Sequence, residues 1–251
     1  MLRVSIRHDA RMGRAIAGKY GMDAWYIPVF SGVGAGFFTV LAITQSPPAQ
    51  WIDIAFVVVL ALQALIYLNT VLRGRFSIWQ KIISDLPTAP ARVLDVGCGT
   101  GLVIITALTK FRDAQGVGLD QFRSRSQAGS DPLLTMDNAQ LNGVRSRLQL
   151  VTEPMLEMSL PGNSFDAVFC NVAIQKIASR EARGEVVAQL FRVTKPGGQI
   201  RIVDTQFAKQ HAEDLAALGA EDTAISALGI RGWYGNPLYA SRLISATKPR
   251  R

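Results

Sequence analysis

The amino-acid sequence predicts an α/β domain with a mostly parallel sheet, preceded by an apolar helical hairpin. The first observation is a short apolar strand at residues 92–96, followed by alternate glycines and a helical pattern over Leu102–Lys110. Such a strand–turn–helix unit is typical of parallel sheets that bind a ligand at the carboxyl end of a strand. The second observation is a pair of uncharged runs, residues 27–43 and 54–72. Their lengths are close to the roughly 20 apolar residues that a membrane-spanning helix needs.

The composition fits a basic protein with one α/β domain and an apolar appendage. The chain has 251 residues, a net charge of +8 and a hydrophobic content of 49%. Its pI is near 9.9 and its mean hydropathy is +0.19. A positive balance suits nucleic acid or an anionic membrane surface. Cys98 and Cys170 fit neither a disulfide framework nor a metal site, so a reducing compartment and no metal are expected.

Residues 26–72 are predicted to form two transmembrane helices. Their connection, residues 44–50, contains two prolines and no basic residue, whereas basic residues flank the hairpin on its other side. Basic flanks favour the cytoplasm, so both termini and the α/β domain are predicted to be cytoplasmic. Three other interpretations stay open: a signal-peptide core, core helices of a soluble protein, or a shallow hairpin that enters one leaflet. Gly32 and Gly36, with Gly34 between them, are expected to let the two helices pack closely.

Two segments flank this hairpin. Residues 1–25 are basic, and four of their arginines would share one face of a helix. That face suits an anionic membrane surface, or the segment is a solvated terminus. Residues 73–90 have apolar side chains at helical spacing, which predicts an amphipathic interfacial helix; a helix docked on the α/β domain is the alternative. Residues 91–251 are predicted to form that domain. The four arginines are Arg3, Arg7, Arg11 and Arg14.

Residues 95–101, Asp-Val-Gly-Cys-Gly-Thr-Gly, organise the predicted domain. Three alternate glycines let the backbone turn tightly and let a ligand approach without meeting a Cβ. The N–H groups at the start of the next helix favour a polar or anionic ligand. A dinucleotide-binding fingerprint would need a glycine where Leu102 stands. Asp95 lies inside the strand, where aspartate is unfavourable, so it is expected to bond the loop or the ligand.

This stretch resembles motif I of the class I S-adenosylmethionine-dependent methyltransferases, a group that includes ubiquinone/menaquinone C-methyltransferases. The strand that ends at Asp120 and the turn at residues 193–198, Val-Thr-Lys-Pro-Gly-Gly, are similar to the family in the same order. The resemblance covers roughly residues 91–249. It implies a Rossmann-like, seven-stranded sheet with an antiparallel final hairpin. It also implies S-adenosylmethionine as the methyl donor and S-adenosylhomocysteine as the product.

The resemblance also assigns residues to the donor. Asp120 is expected to accept both ribose hydroxyls, with a helix N-cap as the alternative. Glu153 aligns with a family position that reaches the adenine amino group. Met155 is placed either to cover the adenine face or to pack in the core. The predicted donor set is Asp95, Gly97, Cys98, Gly99, Gly101, Asp120, Gln121, Glu153, Met155 and Asn171.

The predicted acceptor side carries no histidine base. Gln175 and Lys176 stand where many relatives have paired histidines. Catalysis is therefore expected to rest mainly on holding donor and acceptor together. Lys176, Tyr234 and Asp204 are the candidates for acceptor contacts, although Asp204 also suits a cap or turn. The aromatic loop around Tyr234 either lines the acceptor site or forms a packed turn. His211 is expected to have a surface role.

These predictions together indicate a membrane-anchored methyltransferase. Its acceptor would be a hydrophobic or amphiphilic small molecule at the cytoplasmic face of a lipid bilayer. Two alternatives from other classes stay open: a nucleic-acid methyltransferase, and a membrane-anchored scaffold without catalysis. The nucleic-acid alternative lacks an added binding module. It also lacks an Asn-Pro-Pro-Tyr-type sequence after Asn171. The sequence does not indicate an oligomeric state.

Overall fold

The computed structural model describes residues 18–22, 25–122 and 131–250. A seven-stranded sheet has the order β3-β2-β1-β4-β5-β7-β6. Strand β7 runs antiparallel to both of its neighbours. The predicted Rossmann-like sheet with an antiparallel final hairpin is confirmed. The strands are β1 Arg92–Val96, β2 Gln115–Asp120, β3 Leu148–Thr152, β4 Phe165–Asn171, β5 Thr194–Asp204, β6 Glu221–Ala227 and β7 Arg242–Thr247.

Helices cover both faces of this sheet, which explains why its central strands are apolar on both sides. In β1, Leu94 and Val96 pack with α6 and α7, whereas Val93 packs with α3 and α4. Both clusters are closed to solvent and hold the carboxyl ends of the strands in fixed positions. The helices are α1 Tyr26–Thr44, α2 Ala49–Asn69, α3 Arg75–Ser84, α4 Leu102–Lys110, α5 Pro132–Leu141, α6 Arg180–Val193 and α7 Ala208–Ala217.

Helices α1 and α2 form an antiparallel hairpin with an apolar outer surface. Phe38 stacks on Phe56 with ring centroids 4.6 Å apart. The position of a Cβ on Gly34 lies 3.0 Å from Leu60, whereas Gly32 and Gly36 have no atom within 4 Å of theirs. The close approach is therefore made by Gly34. The expectation for the Gly32–Gly36 pair is wrong, because those two glycines lie on the outer face of α1.

Both helices are long and apolar enough to cross a membrane. The second one continues from Ala49 to Ser84 without a break, because a π-helical turn at Thr70–Gly74 joins α2 to α3. The most apolar windows of the two helices are only 6% and 11% buried inside the protein. The core helix of a soluble protein would be mostly buried. The predicted basic face of the N-terminal segment lies outside the described residues.

Helix α3 is docked on the catalytic domain. Trp79 and Ile83 are fully buried, and Ile78 and Ile82 are buried beside them against α4 and β4. The apolar face of α3 is covered by protein and is not available to lipid. The prediction of an interfacial helix over residues 73–90 is therefore wrong, and its alternative describes the structure. An amphipathic pattern shows that a helix has an apolar partner, but it does not identify that partner.

Candidate functional site

The glycine loop at residues 97–101 lies at the carboxyl ends of β1 and β2. The N–H groups of Gly97 and Cys98 donate to the carbonyl oxygen of Leu119 at 2.7 and 3.1 Å. Gly97 has a φ of +73°, and a Cβ there would stand 2.5 Å from the Cβ of Ala173. Glycine is required here by the left-handed backbone and by the close approach of the segment that follows β4.

Asp95 lies beneath this loop with 1% of its surface exposed. One carboxylate oxygen accepts the N–H of Ile104 at 3.2 Å. The other oxygen has no hydrogen-bond partner in the described part of the chain. Burial raises the pKa of this carboxyl to about 8; the Ile104 bond opposes the rise, and the Asp120 carboxylate adds to it. The unpartnered oxygen can accept a hydrogen bond from a bound ligand.

The raised pKa of Asp95 makes the stability of the fold depend on pH. Its folded value of about 8 exceeds the ordinary value of 3.8, so the native state holds this proton more tightly than the unfolded state. The stabilisation of the native state by protonated Asp95 is complete below about pH 4 and is lost as the pH rises through about 8. We expect the unfolding free energy of the wild type, relative to Asp95→Asn, to fall by up to about 1.4 kcal/mol per pH unit in that window.

The measurement is denaturant unfolding of both proteins in one detergent between about pH 5 and 9. Asparagine keeps the shape of the side chain and cannot ionise there, so it removes only the titration. Above about pH 8 the two curves should run parallel. Curves that stay parallel from pH 5 upward would show that Asp95 ionises normally in the folded protein.

Asp120 ends β2 and joins the glycine loop to the segment after that strand. Its carboxylate accepts the N–H of Gly99 and the N–H of Phe122, each at 2.9 Å. The N-cap of α5 is instead Asp131, whose side chain accepts the N–H of Leu133. Asp120 therefore fixes the shape of the glycine loop from the side. Its contact with a ribose stays a prediction.

Two of the predicted adenine contacts lie after β3. The methyl carbon of Met155 is 3.7 Å from the position of a Cβ on Gly97, so this side chain borders the loop. Glu153 accepts hydrogen bonds from the hydroxyl of Ser159 at 2.6 Å and from its N–H at 2.9 Å. The Ser159 hydroxyl is the main cause of a lowered pKa for Glu153. Glu153 thus braces a turn, and its predicted adenine contact remains untested.

The side chains of the other residues predicted to bind the methyl donor have different surroundings. The Cys98 sulfur lies 2.9 Å from the position of a Cβ on Gly118, and burial raises the pKa of its thiol well above the usual range. Only the backbone of Cys98 can therefore make the predicted contact with the methyl donor. The Asn171 side-chain oxygen accepts the indole N–H of Trp79 at 2.9 Å. Gln121 follows β2 and is half-buried.

Asp204 and His211 form a buried pair at the end of β5. Asp204 accepts the N–H of Gln175 at 3.1 Å and that of Thr205 at 2.9 Å. The Nε2 of His211 lies 3.4 Å from the same carboxylate, and both side chains are fully buried. The predicted surface role of His211 is wrong, because α7 presents this side chain to the sheet together with Leu215. Asp204 fills the turn role that the sequence left open for it.

Lys176 and Tyr234 lie on different segments at this edge of the sheet. Lys176 is exposed at the end of the 3₁₀ turn Ile174–Lys176. Tyr234 lies in the loop before β7, and its ring packs edge-on against Tyr67 of α2 with centroids 6.5 Å apart. The aromatic loop is therefore a packed turn, and it packs on the hairpin rather than on the sheet.

Arg183 was missed in the sequence although it is buried beside the site. Its guanidinium donates to the carbonyl oxygens of Ile177 and Ala178 and to the side chain of Gln210. It also lies 3.7 Å from the ring centroid of Phe207. Arg183 thereby holds the segment after β4 against α7. Its partners on the α7 side, Phe207 and Gln210, are distant in sequence, so no local pattern indicates this role.

A polar groove lies at the opposite end of the sheet. Its volume is about 810 Å³, and Gln199, Arg201, Glu221, Thr247 and Lys248 contribute to its lining. These residues stand at the amino end of β5 and at its neighbours in β6 and β7. The groove is thus separated by the length of the strands from the glycine loop, and it takes no part in the candidate site.

Comparison with known proteins identifies the domain. A family profile described as "Methyltransferase domain" matches residues 93–198, which run from β1 into β5. This part of the chain is a methyltransferase domain with the class I fold. It is 35% identical over 107 residues to the sterol 24-C-methyltransferase erg6 of Aspergillus fumigatus, which covers 43% of this chain and 26% of that protein. It is 26% identical over 133 residues to the ubiquinone/menaquinone biosynthesis C-methyltransferase UbiE of Dinoroseobacter shibae, with 52% and 50% covered.

Solved structures show the same methyltransferase fold. Geranyl diphosphate C-methyltransferase from Streptomyces coelicolor superposes with a TM-score of 0.55 at 12% identity, over 69% of this chain and 79% of that one. The [4+2]-cyclase SpnF superposes with a TM-score of 0.56 at 17% identity, over 69% and 81%. The methyltransferase chain described here spans between a quarter and a half of the two curated relatives given above.

The residues of this methyltransferase fit S-adenosylmethionine. A Cβ on Gly99 would meet no atom within 4 Å, so the loop is open at this position. The thioether of Met155 lies beside Gly97 of the same loop, and the buried Asp95 lies in the strand that leads into it. A donor with a ribose, an amino group and an adenine could be held by the backbone of this loop and by these side chains.

Proposed function

We propose that the protein is a membrane-anchored methyltransferase that acts on a hydrophobic or amphiphilic small molecule at the cytoplasmic face of a bilayer. The observation that carries this proposal is the contact between the loop before β7 and the apolar hairpin. Gly235 packs on Gln63 of α2, and Tyr234 packs on Tyr67. Because this loop leads into β7 beside Asp204, an acceptor at the carboxyl edge would lie at the base of the two apolar helices.

The names of the similar proteins support an apolar acceptor. The relatives given above are described as methyltransferases of sterols and of ubiquinone or menaquinone biosynthesis. One of the similar folds is described as a methyltransferase of geranyl diphosphate. These are lipid-like or isoprenoid compounds. A protein with two apolar helices beside the site would meet acceptors of this class in the bilayer.

In the proposed reaction the chain acts mainly by holding the two reactants. S-adenosylmethionine supplies a methyl group on a positively charged sulfur, so the donor is already activated. The glycine loop, Asp95 and Asp120 would fix its position, and Lys176 would border the acceptor. The chain has two histidines; His211 is fully buried and His8 lies outside the described residues. Alignment of the reactants can itself supply a large share of the rate.

The orientation in the membrane follows from the charges around the hairpin. The connection at residues 45–48 has no basic residue, whereas Arg73, Arg75 and Lys81 follow α2. Basic residues remain preferentially on the cytoplasmic side. We therefore assign both termini and the methyltransferase domain to the cytoplasm.

A protein of this fold that does not transfer methyl groups is the second candidate, because one similar structure is described as a [4+2]-cyclase. Label transfer separates the two candidates. Full-length protein in liposomes receives methyl-labelled S-adenosylmethionine and a total lipid extract, and the organic and aqueous phases are counted. We expect label in the organic phase, and we expect Asp120→Ala to lower it at least about 30-fold because the glycine loop loses its side support. Donor binding without transfer would favour the second candidate.

The matched control is Asp113→Ala. Asp113 is an exposed aspartate just before the other end of β2, so its removal changes the charge by the same amount without touching the site. This variant should retain the organic-phase label. Label that appears only in the aqueous phase would contradict the lipid-like acceptor while leaving methyl transfer intact.

A further inference from the structure

The segment Gly229–Tyr239 follows one side of the second apolar helix toward the predicted membrane. The backbone of Arg231 lies against Gly74, and the hydroxyl of Thr70 donates to the carbonyl oxygen of Trp233. The next two residues of the loop pack on Tyr67 and Gln63. The loop therefore runs along the helix from Gly74 to Gln63, a separation of eleven residues that corresponds to roughly 17 Å of its axis.

The hairpin itself supplies a reference for depth. Gly34 is level with Leu60, and Phe38 is level with Phe56. Counting along the two antiparallel helices places Tyr26 level with Leu68. Trp25 and Tyr26 are exposed, and aromatic side chains of this kind favour the membrane–water interface. The end of the loop at Gln63 is five positions beyond that level, or about 7 Å deeper along the helix.

The tip of the loop presents apolar side chains on a closed turn. The carbonyl oxygen of Tyr239 accepts the N–H of Tyr234, and Asn236 caps the N–H of Leu238. Leu238 is 87% exposed and Tyr239 is 53% exposed. Residues 233–239 contain no charged residue, whereas exposed Arg231 and Arg242 stand at the base of the turn. An apolar tip above basic residues matches a bilayer surface with anionic headgroups.

We propose that residues 233–239 insert into the interfacial layer of the bilayer and form a third membrane contact beside the two helices. This inference rests on the membrane anchorage of the proposed function and adds a direct contact between the catalytic domain and the bilayer. The loop ends where β7 pairs with the end of β5, since Arg242 is opposite Asp204. The acceptor edge of the site would then open onto lipid headgroups, so an acceptor could reach it without crossing water.

Site-directed fluorescence tests this insertion. Leu238→Cys is labelled with a polarity-sensitive fluorophore in full-length protein, in liposomes of phosphatidylcholine and phosphatidylglycerol. Cys98 and Cys170 are buried, so a wild-type labelling reaction measures the background. We expect a blue-shifted emission that shallow spin-labelled lipids quench at least about twofold more than in the control. The matched control is Leu218→Cys, an exposed leucine after α7 at the opposite end of the sheet.

A third label distinguishes this inference from the anchorage on which it rests. Val33 is exposed near the middle of α1, so a label on Val33→Cys should be quenched by deep spin-labelled lipids if the hairpin lies in the bilayer. Quenching at position 33 with water-like emission at position 238 would overturn the insertion and leave the anchor intact. A blue shift at position 238 that depends on protein concentration and ignores spin-labelled lipid would indicate a second copy of the chain, and it would also overturn the proposal.

Discussion

Replacing Gly97 by alanine is expected to weaken S-adenosylmethionine binding by at least about 30-fold. Alanine at a φ of +73° costs about 1–2 kcal/mol in backbone strain. Its Cβ would also stand 2.5 Å from the Cβ of Ala173, so the glycine loop or the segment after β4 must move. Because donor binding must restore the native shape of the displaced loop, a cost of about 2 kcal/mol appears as roughly 30-fold in affinity. Calorimetric titration of the donor into both proteins measures the change.

Two further variants separate backbone strain from the steric clash. Gly143→Ala carries a comparable strain, at a φ of +68°, in a turn where a Cβ would meet no atom within 4 Å. It should lower stability without changing donor affinity. Gly97→Ala combined with Ala173→Gly removes the clash and should recover part of the lost affinity. A double variant as weak as Gly97→Ala alone would show that Ala173 does not set the shape of the loop.

The donor side of the site could be predicted from the sequence because its determinants are local. The strand, Asp95 and the alternate glycines are adjacent in the sequence; the glycines suit a tight turn, and an aspartate inside a strand is unusual enough to indicate a specific role. The acid at the end of β2 follows from the same repeated strand–helix unit. The seven-stranded sheet with an antiparallel final hairpin was predicted by resemblance, and the antiparallel pairing of β7 with β5 and β6 confirms it.

Residues with distant partners were harder to predict. The helical pattern of α3 shows an apolar face, but lipid and protein are equally apolar partners, so only the structure distinguishes them. Small residues on α1 were ambiguous in a similar way. The spacing of Gly32 and Gly36 suits a contact between helices, but Gly34 makes that contact in the structure. For His211 a signal was present. It lies three residues after Ala208 and four before Leu215, and both of these are buried, so helical spacing places it on the buried face.

Trp79→Ala is expected to lower the unfolding free energy by about 3–5 kcal/mol, the usual cost of removing a large buried aromatic side chain. The indole is fully buried, packs edge-on against Phe169 with centroids 5.8 Å apart and donates to Asn171. Trp79 lies on α3, which also joins the hairpin to the sheet. The substitution should therefore weaken the attachment of the hairpin to the catalytic domain. A loss of about 4 kcal/mol corresponds to a Tm lowered by roughly 10 °C, which calorimetry in detergent can measure.

Two controls define what the indole contributes. Trp79→Phe keeps an aromatic ring beside Phe169 but leaves the Asn171 oxygen without its donor, so it should lose less than half as much stability. Trp51→Ala removes an indole that is exposed on α2 and should leave the Tm of the catalytic domain within about 2 °C, as expected for an exposed position. Because Asn171 ends β4 at the candidate site, Trp79→Phe should also weaken donor binding if the predicted role of Asn171 holds. Equal effects of Trp79→Ala and Trp51→Ala would mean that α3 does not support the domain. The same two controls therefore distinguish a helix that holds the site in place from one that only links it to the membrane.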